Sequence, residues 1–203
     1  MDWRERYERA AARYRAGEAR ELDERQLLQL ANSAWAAGLS RLVAGDREGA
    51  AEWLRRAAAR YRESWDAGAA TDAWGRPIAA MKALLIARED AGDAARWTLG
   101  TCLGISYRDM SVSPIGRYAG VLALLVLDRD DEAAALAATL GEGFPEDAAA
   151  ALRALAAADA DAYRVAVAAV RRSFEARDAF LEDVPVCDTA LALDALAARR
   201  GLG

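Results

Sequence analysis

Residues 32–57 read NSAWAAGLSRLVAGDREGAAEWLRRA, and their order of small, bulky and breaking residues decides the fold. A helical pattern runs into Gly45 and Asp46, and a second helical pattern follows at once. The second pattern starts with small residues at the points where the helices would touch. Two amphipathic helices joined by so short a turn lie antiparallel. Such a pair cannot bury its own apolar face, so it must stack on other pairs.

The same grammar extends in both directions. Trp3, Tyr7, Ala10, Ala11 and Tyr14 share one helical face, which predicts a first helix ending near Gly17. Asp23 followed by Gln26 predicts a capping box, in which each side chain satisfies a backbone N–H left open at a helix start. The second helix then runs to about Ala44, and Asp46 caps a third that runs to about Trp65. A fourth covers about Pro77 to Asp90, and Gly92-Asp93 opens a fifth that continues to about Leu103. Ser113-Pro114 is a helix start, a capping hydroxyl before a proline whose missing N–H costs nothing there. The helix that follows is apolar on nearly all sides through Leu127 and should be the most buried. A charged turn at Asp128–Asp131 leads to a seventh helix ending at Leu140. An eighth spans about Glu146 to Ala157, a ninth runs to about Asp178, and a tenth closes at Arg199-Arg200 before Gly201. No stretch alternates apolar and polar residues as a half-buried strand would. The second helices of the pairs begin near residues 46, 93, 130 and 159, so the stack is divergent. The expectation is an all-α chain of about ten helices, a stack of antiparallel hairpins forming one domain over residues 1–203.

Composition fits that expectation. The chain has 203 residues, 54% hydrophobic and 29% charged, with a net charge of -5. That hydrophobic content suffices for a core and is too high for disorder. The mild negative charge argues against nucleic acid as the main partner. The longest apolar run, Ala119 to Leu127, is far short of the roughly 20 residues a spanning helix needs, so no membrane partner is expected. The opening residues MDWRERYERA are charged and show no leader. Cys102 and Cys187 lack paired spacing, which predicts reduced, packed thiols in a cytoplasmic protein. Lys82 is the single lysine among 27 basic residues, a bias that fits a GC-rich genome.

Catalytic chemistry finds little to work with. The absence of histidine removes Ser-His-Asp triads, Cys-His pairs and most zinc sites together. No glycine-rich phosphate loop is present. Cys187 beside Asp188 has no basic neighbour in the sequence to lower its pKa. Asp128, Asp130, Asp131 and Glu132 lack the glycine and distal glutamate of a calcium loop, so they read as a solvated turn with helix capping. No catalytic residue, cofactor or metal is expected.

Recognition residues are easier to find. All six tryptophans lie in the first half of the chain, and most should fill helix seams. Trp74, just before Gly75, is the candidate for partial exposure, and a partly exposed indole makes a strong interface anchor. Arg55, Arg56, Arg60 and Arg62 form a basic cluster on the third helix, with Arg56 and Arg60 as candidate contacts to an acidic partner. The connection Tyr107-Arg108-Asp109-Met110-Ser111 mixes aromatic, charged and sulfur groups, and Tyr107 and Arg108 are its candidate partner-binding residues.

Residues 32–57, with Gly38, Gly45, Asp46, Ala50, Leu54 and Ala57 in their places, resemble one tetratricopeptide repeat. That resemblance implies a TPR-like α-solenoid that presents surfaces and does not catalyse. Asp161-Ala162-Tyr163, then Arg171 to Asp178, then ALALDALAARRGL from Ala190 to Leu202, resemble the C-terminal part of the immunity-49-type proteins of bacterial polymorphic toxin systems. That second resemblance implies an inhibitor that neutralises a toxin domain by binding it. The expected function is therefore a non-catalytic protein-binding helical-repeat module, an immunity protein being one version. A self-associating scaffold that forms a homodimer is an alternative. So is a small-molecule binder or enzyme with a pocket near Tyr107–Arg117.

Overall fold

The computed structural model of the chain describes residues 2–18, 21–100 and 112–202. Among these residues the structure is all α, with ten α-helices and no strand. The helices gather into two compact units, Met1–Glu89 with Asp178–Val186, and Asp90–Arg177 with Cys187–Gly203.

In the first unit α1 (Trp3–Glu18) packs on α2 (Glu24–Val43), α2 on α3 (Arg47–Asp66), and α3 on α4 (Gly75–Ala87). The capping box at the head of α2 is formed. The Asp23 carboxylate accepts from the Gln26 N–H at 2.8 Å, and the Gln26 side chain accepts from the Asp23 N–H at 3.0 Å. Gly45 leaves α2 with φ +87°, a left-handed conformation that favours glycine. Its N–H donates to the Leu42 carbonyl and the Asp46 N–H to the Arg41 carbonyl, so the last carbonyls of α2 are satisfied as the chain turns. Asp46 then caps α3 by accepting from the Gly49 N–H at 2.9 Å. Three residues of turn force α3 back along α2. A Cβ built on Gly38 would lie 2.7 Å from the Leu54 Cγ and 3.2 Å from the Ala50 carbonyl oxygen, so the two backbones meet where the sequence placed the glycine. Polar ties fix the register. Tyr61, buried on α3, donates to Asn32 Oδ1 of α2 at 2.8 Å. The buried Ser64 hydroxyl donates to the Glu24 carbonyl and accepts from Arg76 Nε, each at 2.8 Å, linking α2, α3 and α4.

Residues 178–186 form a strap on this unit, with a 3-10 turn at Leu181–Asp183. Val184 is buried, Arg6 donates to the Asp183 carbonyl, and Arg13 pairs with Glu182 at 2.6 Å. Glu182 and Asp183 are both left-handed, at φ +53° and +56°.

The second unit holds α5 (Gly92–Thr98), α6 (Pro114–Val126), α7 (Asp130–Ala137), α8 (Glu146–Ala156), α9 (Ala160–Glu175) and α10 (Asp188–Arg199). Each packs on the next, and α8 also touches α6 and α10. Ser113 caps α6 through the Gly116 N–H, with Pro114 in the first turn. Tyr118 to Val126 is buried without interruption, as the all-round apolar pattern predicts.

Several boundaries fall inside the expected ones. α4 stops at Ala87, α7 at Ala137 and α9 at Glu175. The expected end of the fifth helix near Leu103 lies outside the described residues. The early stop of α4 has a clear cause, because Arg88 is left-handed at φ +59°. Asp128 and Ala158 leave α6 and α8 in the same conformation, at φ +55° and +52°. In each case the next two N–H groups turn back onto the last carbonyls, the arrangement that Gly45 and Gly201 make at the ends of α2 and α10. One turn geometry thus recurs five times, and only two of its sites carry the glycine that would announce it. Ala158 is exposed and its Cβ has no evident task. Ala158→Gly should therefore stabilise the chain by about 0.5–1 kcal/mol. A higher urea midpoint is the expected result, and a lower one would contradict the assignment of strain.

Candidate functional site

Arg56 and Arg60 of α3 are engaged with aromatic rings on their own unit. Trp53, 5% exposed, meets Tyr14 and Tyr7 edge-on at centroid distances of 5.3 and 6.1 Å. The Arg56 guanidinium lies 4.9 Å from the Trp53 ring and pairs with Glu52 at 2.6 Å. Arg60 donates from Nε to the Tyr14 hydroxyl at 3.3 Å and pairs with Glu63. Arg62 pairs with Asp66, and Arg55 with Glu89. Arg56 and Arg60 are brought together on one face, but their stems and charges serve the α1–α3 seam. Each remains partly open to solvent.

Trp74 corrects an expectation. It is 6% exposed, and its ring lies 6.4 Å from that of Trp65. α4 begins at the very next residue, Gly75, and the chain turns so that the indole goes inward against α3. A buried Trp74 cannot be a surface anchor, so that assignment falls. Tyr107 and Arg108 lie outside the described residues, as do Cys102 and most of the segment proposed to line a pocket. At the described end of that segment Arg117 has a structural task. It donates from Nε to the Val112 carbonyl and from Nη1 to the Thr139 carbonyl, both at 3.0 Å, tying α6 to the end of α7.

The acidic turn after α6 is likewise internally matched. Arg200, whose side chain is 9% exposed, donates to the Leu125 carbonyl at 2.5 Å, to Asp130 at 2.9 Å and to Asp128 at 3.2 Å. Arg129 pairs with Glu132 at 2.6 Å. The carboxylates read as a capped turn are receptors for arginine.

An open cleft of about 230 Å³ is the feature of the second unit that the sequence did not announce. Ile115 and Tyr118 of α6 form one wall. Phe144 and Pro145, from the break before α8, form the second, and Val170 and Phe174 of α9 the third. Tyr118 and Phe144 stack with centroids 5.2 Å apart. Ile115 is 45% exposed, unusual for so large an apolar side chain at the mouth of an apolar cleft. Cys187 and Thr189 open onto it from the start of α10, and Asp147 from the start of α8. Arg177 stands at the rim with its guanidinium 5.4 Å from the Phe174 ring, and no ion pair holds it among the described residues. Two local signals could have pointed here. An aromatic sits among chain breakers in Gly141–Pro145, and Phe174 and Arg177 are three residues apart at the end of α9.

Ionisation is displaced at Arg41, Asp46, Arg60, Arg76 and Tyr163. Asp46 is held below its ordinary range by the Gly49 N–H and then by Arg41. Arg76 is lowered by burial. Tyr163 is pushed up by burial and then by its hydrogen bond to Asp194, which accepts from its hydroxyl at 2.8 Å and also pairs with Arg171. A raised folded-state pKa means stability is intact below the phenol's ordinary value and lost as pH rises beyond it. Stability should thus fall above roughly pH 10. Tyr163→Phe should flatten that fall in a pH series of urea midpoints, and an unchanged alkaline slope would contradict it. The cleft itself offers apolar surface, one cation and one carboxylate, an arrangement suited to holding an apolar side chain.

Comparison with protein-family models, with curated proteins and with solved structures gives no match to this chain. No helix among the described residues is long and apolar enough to cross a membrane.

Proposed function

We propose that the chain is a non-catalytic protein-binding helical module, and that the cleft between α6, α8, α9 and α10 receives the partner. The observation that carries this reading is the open apolar cleft with Ile115 at its mouth and Arg177 on its rim. Interface hot spots are apolar or aromatic anchors in pockets, bordered by polar groups that exclude water. Aromatic walls with an arginine at the edge have that composition. The lack of histidine supports binding over catalysis. A toxin-neutralising inhibitor is the concrete form of the proposal, supported by the likeness of residues 161–202 to immunity-49-type proteins and by the helix, connector and closing helix found there.

Ile115→Glu tests the proposal. The side chain is already 45% exposed, so the fold should tolerate the change, while a carboxylate at the cleft mouth must be desolvated when an apolar group enters. The expected result is that wild-type protein captures a partner from its native host and Ile115→Glu, with unchanged circular dichroism, does not. Equal capture by both would overturn the assignment of the cleft. For the inhibitor form, co-expression with a neighbouring toxin-like gene should rescue growth, and Ile115→Glu should abolish the rescue.

A further inference from the structure

A second pocket, in the first unit, is polar where the cleft is apolar. It has a volume of about 530 Å³ and lies between α1, α2 and the strap. Leu22 and Leu30 form its apolar side, and Gln29 opens onto it from the same helix as Leu30. Ser33 lies one turn further along α2. Ser33 is only 6% exposed, and its hydroxyl makes no hydrogen bond to any described residue. A buried hydroxyl ordinarily finds a partner, and in a helix the carbonyl four residues back is at hand, as Thr98 shows with Ala94. Ser33 makes no such bond and lines the pocket instead.

The pocket's remaining charges come as a pair. Arg13 of α1 meets Glu182 of the strap at 2.6 Å, with the arginine side chain 56% exposed and the glutamate 19%. Glu182 and the residue after it are both left-handed, a conformation held in place by the contacts of Arg6 and Arg13 and by buried Val184. A carboxylate is thus carried into the pocket on a strained loop and set against an arginine that is largely open to water. The pair is open on its arginine side, so an incoming carboxylate can reach Arg13 from solvent.

We infer that this pocket binds an organic carboxylate, and that Glu182 is a built-in stand-in for it. The ligand's carboxylate takes the Arg13 guanidinium in place of Glu182, its polar backbone or amide groups meet Gln29 and Ser33, and its apolar part lies on Leu22 and Leu30. The ligand is either a free acid or an acidic side chain presented on a peptide. This site is separate from the cleft in the second unit, so the inference does not depend on the function proposed above.

The probes are N-acetylglutamate methylamide, the matching glutamine compound, and an acetylated, amidated hexapeptide carrying one glutamate between leucines. Each is titrated into the full, 15N-labelled chain. Saturable shifts of the Gln29 side-chain amide and the Ser33 amide are expected with both glutamate probes. Binding should weaken at least about threefold for the glutamine compound and for Arg13→Gln, the effect of losing one exposed ion pair. Glu182→Gln should tighten binding by about threefold, because the stand-in no longer competes as a full charge. That gain is a readout a merely structural Glu182 would not give. Tighter binding of the hexapeptide than of the single residue assigns a peptide source, and equal binding a free acid. No saturable shift at Gln29 and Ser33, or Glu182→Gln binding no tighter than wild type, overturns the inference. Loss of partner capture in Ile115→Glu would be unaffected by either outcome.

Discussion

Gly38→Trp is expected to destabilise the chain by about 3 kcal/mol, the upper range for overpacking a well-filled seam. Even a Cβ at position 38 would lie 2.7 Å from Leu54 Cγ and 3.2 Å from the Ala50 carbonyl oxygen. Leu54 is fully buried and the carbonyl is backbone, so neither has room to give way. The milder Gly38→Ala is more diagnostic. In an exposed helix that change gains up to about 1 kcal/mol from propensity. Here the contact should reverse the sign, with a net loss of about 1 kcal/mol. Leu54→Ala alone should cost about 3 kcal/mol through the cavity it leaves. The double variant should be more stable than the sum of the two single losses, because the new methyl enters space the leucine vacated. Urea melts of the four proteins give the coupling directly. Strict additivity would mean that α2 and α3 do not touch at this point.

Arg200→Met should cost about 2–3 kcal/mol. Removing one partner of a buried ion pair costs about 3–5 kcal/mol, and exposure of the other partners reduces that figure. Asp128 and Asp130 are 66% and 41% exposed and can rehydrate. The Leu125 carbonyl, at the buried end of α6, loses its second donor outright. All three contacts leave from Arg200 Nη2, so the three donors of a lysine ammonium should recover part of the loss in Arg200→Lys. A lysine variant no more stable than Arg200→Met would show that a point charge cannot hold the end of α10 against the turn after α6.

These two sites differ in how readable they were. Gly38, Gly45-Asp46 and Leu54 carry local, short-range constraints, so their spacing in the chain nearly dictates the α2–α3 hairpin. The capping box at Asp23 and Gln26 and the Ser113-Pro114 start are of the same kind, each a contact within one turn of helix. Arg200 and its acidic receptors lie about seventy residues apart, and nothing in either segment names the other. Three of the five recurrent turns were hidden because Arg88, Asp128 and Ala158 stand where the geometry favours glycine. Trp74 misled for a related reason. A tryptophan before a glycine suggests a loose helix start, whereas the neighbouring Trp65 drew the ring inward. The cleft draws its walls from α6, the break at Gly141–Pro145, α8, α9 and α10, so each contribution was visible as a residue and none as a wall.

Hydrogen exchange of the captured complex against the chain alone is the most direct measurement of the central proposal. Slowed exchange should concentrate in residues 115–118, 143–148, 170–177 and 187–189, the segments that line the cleft. Protection confined to other segments, with these four exchanging as in the isolated chain, would contradict it.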